Sequence, residues 1–509
     1  MTSDTRTKRV HARLNQTRDL LKAMLNNRMA AVGLALILIT AAAAIAAPLI
    51  TPYSPRGESV AANYAQPTFI TYFPEGYYLS QNMLAVKDPL FNSASSLQAW
   101  GVTANPATMS NLIVSYAPGV SSVSTSKGSM QLSYSGESPA TILLSRTFSY
   151  PYHGPPGNFY ISVTYLVSMA NAKQPVNIGV SINRIGDHVF HIWGGTGQVN
   201  PSLYGNVTSS NEWQVPNIVA SGVIPDSSPQ VESEFPGLTS LTGLGPAAVI
   251  FSRNQDYSFQ ISLTFYGPGR VNLDQLQLQL LGTSWGILGT DYVGTDLFSQ
   301  LVYGARVSLL VGLTAAFLGI GLGLLIGLMA GFLGTLTDEI LMRFTDMILV
   351  IPYLPLLIVL VAVLGASITN IILVIGLFSW MGFARVIRSQ VLSLKERPFV
   401  EAARASGAGS TRIIVSHIFP NIVSLTYVNL ALTVPAAILT ESALEFLGLG
   451  DVNTISWGHM FYLAQLSSSL QVWWWVIPPG LAIAAVSLSF VLIGYALDEL
   501  FNPKLRRRR

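Results

Sequence analysis

The sequence predicts a mainly α-helical membrane protein of six transmembrane helices, interrupted after the first by a large extracytoplasmic β-sandwich insert. Three observations predict it. Half of the 509 residues are hydrophobic and only a tenth are charged, which is too apolar for a soluble chain of this length. Six apolar stretches approach the roughly 20 residues that cross a hydrocarbon layer. Between the first and second of them, the composition changes to Ser, Gly, Asn, Pro and Tyr with a two-residue alternation, the period of a strand.

The elements follow in chain order. Residues 1–28 form a basic N-terminal segment (Arg6, Lys8, Arg9, Arg13, Arg18, Lys22, Arg28), and 29–50 the first transmembrane helix. A cleaved signal peptide is the other reading of that helix, because "AAAAIAAP" offers small residues. Its apolar run of about 22 residues exceeds the usual 7–15-residue signal core, so an uncleaved anchor is expected. Residues 51–285 are the insert. The remaining spans are expected near 307–333, 345–365, 368–384, 421–447 and 476–497, with Pro352, Pro355 and Pro435 kinking helices rather than ending them. A basic tail, 501–509, closes the chain. Orientation comes from lysine and arginine: nineteen of the 28 basic residues fall in the N-terminal segment, in 385–412, at Arg343 and in the tail, against eight in 52–285. Positive loops stay inside. Both termini are therefore expected in the cytoplasm of a multi-pass plasma-membrane protein, with 51–285 outside.

Inside the insert, 159–168, 176–184, 256–267 and 270–282 alternate as strands, and "GPPG", "GGTG" and "GPG" mark turns. Several such strands make a sandwich, with a jelly roll as one form of it; the less regular 52–135 is expected to wrap it or to contact the membrane surface. Trp193 and Trp213 are candidates for a sugar-stacking face, although sandwich aromatics more often belong to the core. His153, His188 and His191 lack helpfully spaced carboxylates, so no metal site is read from them. Asn206 opens an "NVT" glycosylation pattern, a short and common match. The chain has no cysteine, which excludes disulfides and thiolate sites.

The stretch "KERPFVEAARASGAGSTRIIVSHIFPN" (395–421) is too polar for hydrocarbon and separates two spans. Pro398 suits a helix start, Gly407 and Gly409 break the helix, and a second one resumes through "STRIIVSHIF". Two short helices joined at glycine form a knob fit for docking into another protein's groove. A loop lying on the bilayer surface fits the spacing equally well.

Glu401-Ala402-Ala403, then Gly407, then His417-Ile418-Phe419-Pro420-Asn421 resembles the EAA signature of ABC importer permeases, closest to the C-type subunit of dipeptide/oligopeptide importers. "NNRMAAVGLALILITAAAAIAAPLITPYSP" (26–55), "LGTDYVGTDLFSQLVYGARVSLLVG" (288–312), "LMRFTDMILVIPYLPL" (341–356), "ESALEFLGLG" (441–450) and "SWGHM" (456–460) extend the resemblance over about 1–55 and 285–503. It implies a type I permease whose five-helix core spans 286–500 and carries the coupling loop. It also implies the partners: a second homologous permease, two cytoplasmic ATPases and an extracytoplasmic solute-binding protein. Glu401, Ala402, Ala403, Arg404, Gly407 and Pro420 would couple to an ATPase. The chain has no phosphate-binding loop of the GxxxxGK[ST] type, so ATP and Mg would reside on partners. No nucleophile–base arrangement stands out, no cofactor is expected on this chain, and nothing points to nucleic acid.

The resemblance says nothing of 56–284, where the family usually has a short loop. The family also commonly has Arg at the positions of Thr295 and Gln300. Gly319, Gly323, Gly327 and Gly331 recur every four residues on one helix face, a spacing that permits close helix packing. Glu441 and Glu445, the latter at a position where the family more often has Ser, are candidates for a substrate entrance that attracts a peptide amino group; water-exposed interfacial carboxylates are the plainer reading. Arg343 and Asp346 are expected to pair across one turn. Peptide import leads; an oligosaccharide importer of the same family and a membrane-anchored adhesion or sensor protein are the rivals.

Overall fold

The computed structural model describes residues 24–193, 206–214, 217–220 and 245–501. Most of the basic N-terminal segment and the tail beyond Phe501 thus lie outside the described residues, as do the "GGTG" turn and the side chains of Trp193 and Asn206. Two compact units emerge, Met1–Arg56 with Leu297–Arg509, and Gly57–Asp296.

The first unit opens with helix α1 (Arg28–Ile45), apolar along its length and capped by Asn27, whose side chain accepts from the Met29 amide. The second unit is a β-sandwich. Its strands are β1 (Met83–Leu84), β2 (Gly101–Ala104), β3 (Leu112–Pro118), β4 (Gly128–Tyr134), β5 (Ala140–Ser149), β6 (Asn158–Met169), β7 (Val176–Arg184), β8 (His188–Trp193), β9 (Asn206–Val207), β10 (Asn217–Ala220), β11 (Asp256–Phe265) and β12 (Gly269–Leu281). One sheet runs β10-β6-β12-β4-β3 with β1 beside β12, the other β2-β5-β11-β7-β8 with β9 beside β7. All these pairs are antiparallel. Alternation decides the faces: Phe259, Ile261 and Leu263 on β11 lie opposite Ile182, Val180 and Ile178 on β7, and all six are buried. Each such side chain contributes about 1.5–3 kcal/mol on burial. The four strands read from alternation match β6, β7, β11 and β12 within a few residues. The segment 52–135, expected to wrap the sandwich or to contact the membrane surface, instead supplies β2, β3 and β4 as full members of the sheets.

The first unit continues with α2 (Leu297–Phe332), α3 (Thr335–Val350), α4 (Tyr353–Leu364), α5 (Ile368–Phe378), α6 (Trp380–Lys395), α7 (Pro398–Ala405), α8 (Phe419–Leu444), α9 (Trp457–Leu466) and α10 (Trp473–Phe501). Five helical stretches are long and apolar enough to cross a membrane: Arg28–Ile45, Leu297–Phe332, Ile368–Lys395, Ser410–Leu449 and Trp473–Leu500. The α3–α4 pair makes a sixth if counted as one span, but it bends by 87°. Proline explains the bend and corrects the expectation of a simple kink. Pro352 forces its predecessor out of helical geometry, so Ile351 is extended at ψ 130° and α3 ends there. Pro355, in the first turn of α4, lacks only an amide that would have had no helical partner. Pro435, by contrast, sits inside a continuous α8.

The pairing predicted between Arg343 and Asp346 does not form. Arg343 reaches back to Glu339 at 2.7 Å, and Asp346 pairs with Arg385 on α6. Their three-residue spacing allowed contact, but better-placed partners stood one turn back and on the neighbouring helix.

Candidate functional site

Three features of the helical unit carry the residues singled out from sequence. The first is the knob. Pro398 takes the first position of α7, where its missing N–H costs nothing. Val400 points inward and is fully buried among Val391, Ile413, Ile418 and Ile422, in a cluster that also holds Leu328 and Phe332 at the end of α2. The opposite face, Phe399, Glu401, Ala402 and Arg404, is exposed, while Ala403 is half-buried. At its C-terminus the Gly407 amide donates to the Arg404 carbonyl (3.0 Å) and the Ala408 amide to the Ala403 carbonyl (3.1 Å). This paired bonding closes a helix when the residue past the cap is left-handed; Gly407 has φ +82°. Gly409 then caps Ser410–Ile413, and a π turn, Ile414–Ile418, leads into α8. Pro420 explains that wider turn, since it has no amide to continue the four-residue bonding pattern. The result is two short helices bolted to the bundle by apolar side chains, with Glu401 and Arg404 exposed beside Phe399 and Ala402 on the outer surface.

The second feature is the glycine face of α2. A Cβ added at Gly323 would lie 2.7 Å from the Trp380 carbonyl oxygen, at Gly327 2.7 Å from that of Ala384, and at Gly331 2.7 Å from Val391 Cβ; at Gly319 it would strike Ser379 Oγ. All four glycines therefore face α6 or the residue before it, and at Gly323 and Gly327 the nearest atom is backbone, which no larger residue could displace.

The third is the acid pair. Glu441 and Glu445 sit one turn apart near the end of α8, 0% and 1% exposed within this chain. This differs from the water-exposed carboxylates expected of an interfacial position. Ser442 donates to Glu441 (3.1 Å), and Ser308 on α2 lies 3.5 Å from it. Ser456 donates to Glu445 while its own oxygen caps α9, accepting from the His459 amide at 3.1 Å. Gly458 brings α9 so close that a Cβ there would lie 2.7 Å from Ser442 Cα. Glu445 thus braces the start of α9, an end of a helix that favours negative charge. The other Glu441 oxygen has no partner among the described residues.

Sequence reading missed Arg306 and Arg388. Arg306 on α2 donates to the Ala44 and Ile45 carbonyls, satisfying the open end of α1. Arg388 on α6 forks onto both oxygens of Asp338 on α3. A lone arginine within an apolar run was the available signal for Arg306; Arg388 was hidden among the basic residues of 385–412. In the insert, His153 stacks on Tyr77 at 4.3 Å and His188 meets Phe190 edge-on; Trp213 is half-buried.

The described helices make the apolar bundle of a multi-span membrane protein that presents a short helix–turn–helix knob. Residues 323–507 match the family described as binding-protein-dependent transport system inner membrane component, and 15–67 match the N-terminal TM domain of oligopeptide transport permease C. The chain is 36% identical over 239 residues to the dipeptide transport system permease protein DppC of Bacillus subtilis, covering 47% of this chain and 74% of that one. It is 39% identical to the oligopeptide transport system permease protein OppC of Haemophilus influenzae, covering 43% and 70%, and 39% identical to OppC of Escherichia coli, covering 43% and 72%. The chain belongs to the dipeptide/oligopeptide permease family of ABC importers.

Proposed function

We propose that this permease carries peptides, the solutes named for its relatives, and that its knob is the lever by which partner ATPases drive the helices. The carrying observation is the two-sided construction of α7: Glu401, Ala402 and Arg404 are exposed, while Val400 is fully buried in a core shared with α2, α6 and α8. A push on the outer face then moves three long helices together, because packed interiors transmit displacement rather than absorb it. In this reading the working assembly pairs the chain with a homologous permease. Two cytoplasmic ATPases that bind ATP and Mg grip the pair of knobs, and a solute-binding protein delivers from the other side. Both termini and the knob are cytoplasmic; the sandwich is extracytoplasmic and docks the binding protein or caps the pathway.

The absence of cysteine makes the test clean. Glu401→Cys in the assembled complex should cross-link to the ATPase subunit with a yield that changes on adding ATP. An impermeant maleimide should label exposed Glu137→Cys in intact cells but not Glu401→Cys. Failure to cross-link under any nucleotide condition rejects the lever, and the reverse labelling pattern rejects the orientation.

Glu441 and Glu445 have a place in this scheme as a contact that holds α9 to α8 and that opens to a peptide amino group when α9 moves. Replacing both with Gln should lower uptake several-fold without lowering ATPase activity. Unchanged uptake removes the acid pair from the pathway.

A further inference from the structure

In the sandwich, β12 changes partners midway. Up to Leu273 it pairs with β4; beyond Gln277 the same edge is taken by β1 and the segment that follows it. Between the two pairings β12 bulges, and Asp274 sits at the break, 0% exposed. Its side chain lies on the face opposite Val271 and Leu273, which belong to the apolar core. Among the described residues no cationic side chain pairs with it. What surrounds it is oxygen.

The Ser126 hydroxyl is the clearest sign. It stands within bonding distance of three acceptors, the Leu90 carbonyl, the Gly128 carbonyl (2.9 Å) and Asp274 Oδ1 (3.1 Å). One hydroxyl has one proton to give. Pro118, opposite Gly128, has no amide to offer that carbonyl either. The Ser122 hydroxyl lies 2.8 Å from the other Asp274 oxygen. Two further buried oxygens on this face lack any hydrogen-bond partner among the described residues. They are Ser129 Oγ, next in register across β4, and Asn272 Oδ1, two residues back on β12. Buried polar atoms left without a partner are costly.

The backbone is also bent to make this cluster. Phe91 and Gln275 are non-glycine residues with φ of +46° and +51°. One directly follows the Leu90 carbonyl and the other directly follows Asp274. Left-handed geometry costs such residues about 1–2 kcal/mol each, and strain of this kind gathers where a ligand is held.

We infer that Asp274, Ser122, Ser126 and the carbonyls of Leu90 and Gly128 form a binding site for a hard divalent cation of the calcium class. Calcium takes six to eight oxygen ligands in irregular geometry. Both carboxylate oxygens, two hydroxyls and two carbonyls supply six. If the hydroxyls turn their protons away, they offer lone pairs, and the amides of Ser122 (2.8 Å) and Gln275 (2.8 Å) continue to hold the carboxylate in place. A single carboxylate and an all-oxygen set fit an affinity near about 10⁻⁴–10⁻³ M, the range of extracellular modules. The ion joins the segment before Phe91 and the β3–β4 connection to β12, closing the break in the sheet.

Equilibrium dialysis of the purified full-length chain against radioactive Ca²⁺ tests the site. One ion per chain is expected. Asp274→Asn, which keeps the shape and one of the two amide bonds, should weaken binding at least tenfold, and Ser126→Ala, the milder change, several-fold. Tryptophan fluorescence checks that both variants are folded, and either one alone suffices to judge the site should the other fail. No saturable binding up to 5-fold above the expected range (about 5 mM), binding unchanged in both variants, or equal displacement by an equimolar amount of Mg²⁺ would each overturn the assignment.

Discussion

Gly407 shows what one residue decides at the knob. Its φ of +82° is required by the turn, yet a Cβ there would meet nothing within 4 Å. Space is therefore not the constraint; backbone handedness is. Gly407→Val should cost about 1–2 kcal/mol locally and uncouple ATP hydrolysis from uptake. Gly407→Asn, which tolerates that region, should retain most coupling; equal loss in both variants would mean that size matters after all. The turn and helix-start positions Pro398, Gly407, Gly409 and Pro420 were legible because each has a fixed backbone duty. The burial of Glu441 and Glu445 was not, since distance along a helix gives depth but not what covers it. His459 was also invisible in this sense. It lies on α9, outside the spans, and burial pushes its imidazole down to about 4, with Arg56 adding to the effect and Asp451 opposing it. A folded value below the ordinary 6.5 means the native state prefers neutral histidine. Stability is then complete above about pH 6.5 and falls as pH drops through the window toward 4. Thermal melts in detergent should show a loss of about 1–2 kcal/mol between pH 7.5 and pH 5, and His459→Gln should flatten that dependence.

At the scale of elements, the α2–α6 seam is a demanding contact in the bundle. Gly323 and Gly327 each place a would-be Cβ 2.7 Å from a carbonyl oxygen of α6, and backbone cannot rotate away as a side chain can. Gly327→Ala should therefore separate the helices and destabilise the chain by about 1–3 kcal/mol. Gly321, on the same helix with open space around it, should accept Ala with little change. Melting temperatures of the two variants in one detergent decide this, and equal values would show that the seam is not tight. The four-residue glycine period made the face readable, but its partner was not: periodicity tells which side packs, never against what. The same limit explains the ends of the spans. The fourth was read as 368–384 because apolarity stops there. The helix runs on to Lys395, since its amphipathic second half buries Ile387 and Val391 while its arginines pair with α3. The sharp bend at Pro352 was half legible, with the breaker visible and the angle not.

For the whole molecule, each of the two units has a core of its own. Among the described residues, one cluster of buried apolar side chains runs from Ala85 to Leu280 within the sandwich, and others from Val311 to Leu444 within the bundle. A unit that buries its own apolar surface does not need the other in order to fold. Composition made this division readable, because a shift from apolar runs to two-residue alternation is a change of solvent as well as of secondary structure. The oxygen cluster at Asp274 had no such mark, being assembled from carbonyls that every residue carries. Excising 57–296 and joining Arg56 to Leu297 through a Gly/Ser linker should give a chain that stays helical by circular dichroism and still cross-links to its ATPases through Glu401→Cys. The knob's contacts are then intact, and basal ATP hydrolysis should survive. If the insert docks the binding protein or caps the pathway, as proposed, stimulation of that hydrolysis by loaded solute-binding protein should fall at least several-fold. Loss of helicity would show that the bundle depends on the sandwich. Full stimulation with full uptake would show that the sandwich serves neither docking nor capping, and would move its purpose to another ligand.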